Sequence, residues 1–234
     1  MPFPCKELAV TLHSGIELAV QIYGTRAESS INDPSENVLL LHGFLDNAGS
    51  FSKLAENLLK QNENQRLYCL DFSGHGLSSH KSRRKRNTME SQTNSAICYN
   101  LTDYVLECIE LISILGWDKF GIIGHSMGGG VAMMLASAMQ SKVTRLVIID
   151  SFGPWTTDAE NAADTLAKSV QFRATPTSTF NNLAEAAAHR AKKNFIGTMT
   201  LEDATALAMR GTKYDNSKRK VYWVYDPYLK RPSP

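Results

Sequence analysis

The chain has 234 residues, 43% apolar and 21% charged, with a formal net charge of +2. That is enough apolar material for one large core and too little chain for two. A balance so near neutral makes no electrostatic case for nucleic-acid or membrane binding.

Residues 7–12 and 16–23 flank the turn His13-Ser14-Gly15 and read as an opening hairpin. Residues 37–41 form a continuous apolar run, the pattern of an interior strand covered on both faces, and residues 66–70 and 145–149 read the same way. Helical patterns at 51–61, 101–115 and 129–140 alternate with these strands and with the apolar run 119–123. The alternation predicts an α/β architecture: a mostly parallel sheet with helices on both faces. After Asp150 the pattern becomes helical at 158–170, 183–192 and 201–209, with no strand expected between them. Asn182 with Glu185, and Thr200 with Asp203, have capping-box spacing and mark two helix starts. The expected organisation is a core over residues 1–152 and a helical lid with its exit segment over 153–234. Residues 220–234, interrupted by Pro227, Pro232 and Pro234, are expected as an extended return path without a further packed element.

Gly124-His125-Ser126-Met127-Gly128 stands between the apolar run 119–123 and the small-residue helical pattern, so strand, sharp turn and helix follow one another. Such a turn strains its central residue and lifts the Ser126 hydroxyl out of the sheet at the positive end of the following helix. Ser126 is thus the candidate nucleophile, and the Met127 backbone N–H is aimed where a substrate oxyanion would form. The alternative is a glycine-rich turn with a buried serine. His42-Gly43-Phe44-Leu45-Asp46 follows the strand 37–41 and would lay the Phe44 N–H beside Ser126 as a second donor. His42, Gly43 and His125 are then expected to border the substrate; alternatively, His42 merely caps its strand. Asp150 ends the strand 145–149 and is either the acid of a catalytic triad or the cap of the turn Ser151-Phe152-Gly153-Pro154. Residues 71–78, with three glycine and histidine positions at a strand end, read as scaffold, His75 included.

A serine nucleophile needs an imidazole to take its proton. Of the six histidines, none follows the helical region; His125 lies within the elbow and His189 on an alanine-rich helix. No base is evident. The basic run Lys81-Ser82-Arg83-Arg84-Lys85-Arg86 reads as a solvated loop rather than a phosphate site. Cys5, Cys69, Cys98 and Cys108 lack metal-ligand spacing and read as free thiols in a reducing, cytoplasmic compartment, with no secretory signal over residues 1–7. The most apolar long window, 121–140, holds His125, Ser126 and several glycines, so no membrane span is expected.

The stretches 42–48, 71–79, 115–117, 124–130 and 148–150 together resemble the α/β-hydrolase superfamily and, within it, the serine hydrolase-like proteins. Residues 210–212, 221–223 and 226–227 resemble the lid exit of that family. The resemblance implies Ser126 as nucleophile, the Phe44 and Met127 amides as oxyanion hole, a small ester or similar acyl substrate, and no metal or cofactor. Residues 81–97 look like an insertion relative to the family. Family members continue past the equivalent of Pro234 with two strands and two helices that carry the catalytic histidine and often the acid. The chain is therefore expected to be incomplete at its C-terminal side, with strand 145–149 left as an apolar edge.

Overall fold

The computed structural model describes residues 5–24, 37–81, 97–153, 158–192 and 199–232. Strands β1 (Cys5–Thr11) and β2 (Glu17–Tyr23) form the expected hairpin, paired from Cys5 with Tyr23 to Thr11 with Glu17. β3 (Asn37–Leu41), β4 (Arg66–Leu70), β5 (Phe120–His125) and β6 (Val143–Ile149) complete a six-stranded sheet of order β1-β2-β4-β3-β5-β6. The pairs from β4 to β6 are parallel, and the hairpin joins antiparallel through β2 and β4.

Successive residues of β3 face opposite sides of the sheet, and both sides are apolar because both are covered. Leu39 and Leu41 belong to the core beneath α2 (Leu101–Ile114) and α3 (Met127–Ala138), with Leu111, Ile112, Val131 and Leu135. Val38 and Leu40 belong to the core on the other face, with Ala55 and Leu59 of α1 (Ser52–Gln61). A short 3-10 turn, Ala48–Phe51, leads into α1 and is capped by the Asn47 side chain accepting from the Gly49 N–H. After β3 the chain goes to one side for β4 and then crosses to the other side for β5. The strand order thus reverses around β3, and in open parallel sheets ligands occupy the crevice outside the carboxyl ends of such neighbouring strands.

Past β6 a 3-10 turn, Ala159–Asn161, precedes α4 (Ala162–Gln171), where one continuous helix was expected. Then come β7 (Thr179–Phe180), α5 (Leu183–Lys192), α6 (Leu201–Gly211), β8 (Thr212–Asp215) and β9 (Lys220–Trp223). Both helix starts hold through their N-caps: Asn182 accepts from the Glu185 N–H at 2.9 Å, and Thr200 from the Asp203 N–H at 3.1 Å, while the acidic partners turn to the Asn181 N–H and the Thr200 hydroxyl and do not close the box. The expectation of an all-helical region does not hold, because β7, β9 and β8 form a small antiparallel sheet. The return path after residue 220 is likewise a packed element: β9 buries Val221 and Trp223 against Phe180, Ala186, Ala187, Ala204 and Ala208. Pro227 opens a further 3-10 turn that buries Leu229.

The run 145–149, read from its apolarity as an interior strand, begins at Val143 and lies at an edge of the described sheet. Leu146, Val147 and Ile149 are 39%, 45% and 38% exposed there. An uncovered parallel strand and a covered one have the same sequence pattern, so apolarity alone could not separate them. The basic residues 82–86, and most of the segment read as an insertion, lie outside the described residues. Among the described residues no helix is long and apolar enough to cross a membrane.

Candidate active site

Ser126 joins β5 to α3 with φ 50° and ψ −118°, a conformation that costs a non-glycine residue on the order of 1–3 kcal/mol. The neighbouring glycines show why the turn is possible. A Cβ on Gly124 would lie 2.4 Å from the Gly128 carbonyl oxygen, and one on Gly128 would lie 2.1 Å from the Leu41 oxygen. The elbow therefore closes only because both positions lack a side chain. The Ser126 N–H donates to Ile149 O at 2.9 Å, and Ser126 O accepts from Gly129 and Gly130, so the strain is held from both sides. Met127 is the first residue of α3, and the N–H at that position has no acceptor within its own helix.

Register brings the other candidates to the same edge. Leu41 pairs with Gly124 across β3 and β5, so the loop after β3, with Gly43 and Phe44, and the elbow after β5 leave the sheet at the same edge. The contact is close: a Cβ on Gly43 would lie 3.4 Å from Ser126 Cβ and 3.0 Å from His125 Nδ1. Phe44 is 48% exposed and Ser126 partly so, and among the described residues the Ser126 hydroxyl has no hydrogen-bond partner. His125 pairs with Ile149 across β5 and β6, which sets Asp150 level with Ser126. Asp150 is exposed and also has positive φ, 53°. Of four non-glycine residues with positive φ among those described, Leu45, Ser126 and Asp150 stand at this one edge. Such clustering is typical of functional sites.

His42 is placed differently from expectation. Its ring is fully buried, with Nε2 accepting from the Phe72 N–H at 3.1 Å and Nδ1 facing Gly43 O at 2.8 Å. The acceptor role of Nε2 puts the proton on Nδ1. Burial pushes the imidazole down to about 4, so it is neutral at ordinary pH. Both nitrogens are spent inside the scaffold, so His42 shapes the loop and does not border the substrate. His75 is equally buried, its Nε2 accepting from the Leu45 N–H at 3.3 Å, and burial likewise pushes its ring well below the ordinary value. It is scaffold, as its turn suggested.

Three further histidines are engaged away from the elbow, while His125 lies against Gly43 beside Ser126. His13 pairs with Glu110, His80 Nε2 meets Val224 O at 2.8 Å, and His189 lies against the Phe180 ring at 5.1 Å. Among the described residues no hydrogen bond joins any imidazole to the Ser126 hydroxyl.

Beneath the site, Asp71 at the end of β4 accepts from the Ala48 and Leu77 N–H groups at 2.7 Å each and from Arg210 Nε at 2.9 Å. Arg210 also reaches Glu7 at 2.6 Å, so α6, β1 and β4 are tied at one point. Burial raises the Asp71 carboxyl, and Arg210 with the two amides pulls it back. The sequence reading missed a contact nearer the site: Arg190 of α5 donates to Asp46 Oδ1 at 2.6 Å. No local pattern links residues so far apart in the chain.

The model of the α/β hydrolase fold matches residues 36–229. The chain belongs to the α/β hydrolase fold family. It is 32% identical over 177 residues to a serine hydrolase-like protein of Dictyostelium discoideum, covering 76% of this chain and 42% of that one. A human serine hydrolase-like protein is 37% identical over 128 residues, 54% of each. This α/β hydrolase chain thus spans about half the length of these relatives or less. A hypothetical protein from Pseudomonas aeruginosa superposes with a TM-score of 0.80 at 32% identity, over 98% of this chain and 73% of that one. A thioesterase domain from the curacin biosynthetic pathway, 22% identical, shares the fold with a TM-score of 0.75 over 97% of this chain and 72% of that one.

Proposed function

We propose that this chain carries the nucleophile and oxyanion hole of a serine hydrolase acting on an ester or similar small acyl substrate. The observation behind this reading is Ser126 at φ 50° on a strand-to-helix elbow whose flanking glycines leave no room for a Cβ. In the proposed reaction Ser126 Oγ attacks the acyl carbonyl carbon, and the Phe44 and Met127 N–H groups hold the resulting oxyanion. Gly43 and His125 border the acyl group, and Asp150, level with the nucleophile, is the acid that orients the base. Residues 153–234 act as a lid and its exit segment. The base itself we place outside these 234 residues, since the relatives are longer and, among the described residues, no hydrogen bond joins an imidazole to the Ser126 hydroxyl. The four free cysteines support a reducing, cytoplasmic setting.

Loss of the base in a Ser-His-Asp site costs on the order of 10⁶ in turnover, while the oxyanion hole leaves a residue of catalysis. The test is hydrolysis of short chromogenic esters with and without added imidazole, on wild type and Ser126→Ala at equal folded concentration. Little turnover alone, and Ser126-dependent turnover with imidazole, is the expected outcome. Robust Ser126-dependent turnover without imidazole would place the base within the chain, His189 being the first to examine. No Ser126 dependence in either condition would favour the rival reading, a hydrolase-fold protein that binds an apolar ligand without catalysis.

A further inference from the structure

Residues 43–46 form a tight turn in which the Asp46 N–H donates to Gly43 O at 3.2 Å and Leu45 has φ 60°. A branched, bulky side chain at positive φ is strained and holds that conformation only where its surroundings fix it. On the core side the fixing group is His75, which accepts the Leu45 N–H. On the opposite side it is Arg190, whose guanidinium reaches Asp46 Oδ1 at 2.6 Å. The pair is sheltered, the Asp46 side chain 9% and the Arg190 side chain 21% exposed, so solvent screening weakens it less than a surface pair.

The residues just beyond the turn are already locked to α6. Asn47 Nδ2 donates to Leu207 O at 3.0 Å, and a Cβ on Gly49 would lie 2.9 Å from Ala206 O. The residues just before it lean on the elbow through Gly43. Arg190 therefore acts on the short strained piece between two fixed ends, and that piece carries the Phe44 N–H. Its own helix does not depend on the pair: α5 is packed through Ala186 and Ala187 onto Ala204 and Ala208 of α6.

We propose that Arg190 is a positioning residue which, by holding Asp46, fixes the strained turn and sets the Phe44 amide against the Ser126 elbow. This rests on the reading of Phe44 as an oxyanion donor. It makes the helical region after β6 part of the machinery, since a displacement of α5 would be felt directly at the oxyanion donor.

Hydrogen exchange followed by mass spectrometry tests the mechanical part without any need for turnover. In Arg190→Ala the amides of residues 44–47 should exchange about fivefold faster or more, with those of α5, α6 and β3 unchanged. Asp46→Ala should do the same, and the double variant should add nothing further, as for two residues acting through one contact. Arg190→Lys, which keeps the charge, should stay nearer to wild type than Arg190→Ala. Loop exchange equal to wild type in Arg190→Ala overturns the proposal, and so does loosening of α5 to the same extent as the loop. Imidazole-assisted ester turnover supplies the catalytic arm: kcat should fall about tenfold in Arg190→Ala with KM little changed. A rise in KM alone would make Arg190 a substrate contact and overturn the positioning role. Wild-type protein without Ser126-dependent turnover would sink the hydrolase reading, while the exchange measurement still decides whether Arg190 holds the turn.

Discussion

Gly128→Ala separates the packing demand at the elbow from ordinary helix energetics. Gly128 is the second residue of α3, where alanine is favoured over glycine by about 1 kcal/mol on propensity alone. If nothing obstructed the new methyl group, the variant would be more stable. The methyl carbon would instead stand 2.1 Å from Leu41 O, 2.5 Å from Leu41 C and 2.7 Å from His42 O. Non-bonded heavy atoms settle near 3.5 Å, so α3 and the end of β3 must part by about 1 Å. All three obstacles are backbone atoms of a central strand end and cannot rotate away. Overpacking of this kind costs about 3 kcal/mol or more, which outweighs the propensity gain and leaves a net loss near 2 kcal/mol. With a urea m-value of about 2 kcal/mol/M, the midpoint of unfolding followed by circular dichroism should fall by about 1 M. Gly15→Ala is the control, because its Cβ would meet nothing within 4 Å and only its φ of +81° opposes the change. A Gly128→Ala midpoint at or above that of wild type would refute the argument that close approach of α3 to β3 makes glycine obligatory here.

Glu107 on α2 is buried, with Ser73 donating to its Oε1 at 2.8 Å and no partner for Oε2 among the described residues. Burial pushes this carboxyl up to about 7. A raised acid stabilises the fold fully below its unfolded value, near 4.5, and that contribution fades as pH rises through about 7. Glu107→Gln should therefore flatten the decline in stability between pH 4.5 and 7 seen in urea titrations; an unchanged slope would mean that the proton is held elsewhere. Arg210→Met leaves the fully buried Asp71 carboxylate without its cation and should cost roughly 3–5 kcal/mol by the same denaturation assay, with Asp71→Asn in addition recovering part of the loss. Asp150→Asn should lower imidazole-independent turnover in a longer chain that contains the base while leaving the melting temperature within a few degrees of wild type; turnover near wild type would assign the acid to another residue.

What was legible in the sequence is what depends on near neighbours. The elbow is written as Gly-x-Ser-x-Gly because both steric conflicts arise within a few residues of Ser126 or across one adjacent strand. Asn37–Leu41 and Arg66–Leu70 agree with expectation to the residue because a doubly covered strand needs an unbroken apolar run. The small sheet after β6 escaped notice because β7 has two residues and β8 four, with lysine and aspartate in the latter. Such segments hold no period long enough to read. The expectation for His42 failed for a related reason: a histidine beside a strand end has the same sequence signature whether its ring turns outward to a ligand or inward. Only the Phe72 N–H, 30 residues away, decides. Arg190 with Asp46, 144 residues apart, is the extreme case. The strain at Leu45 could not be foreseen, since no sequence rule places a leucine at positive φ, and a strained turn needs restraints that the fold alone can bring to it. The residues invisible to sequence reading are thus the ones that hold the loop in place, while those it found are the ones proposed to carry the chemistry.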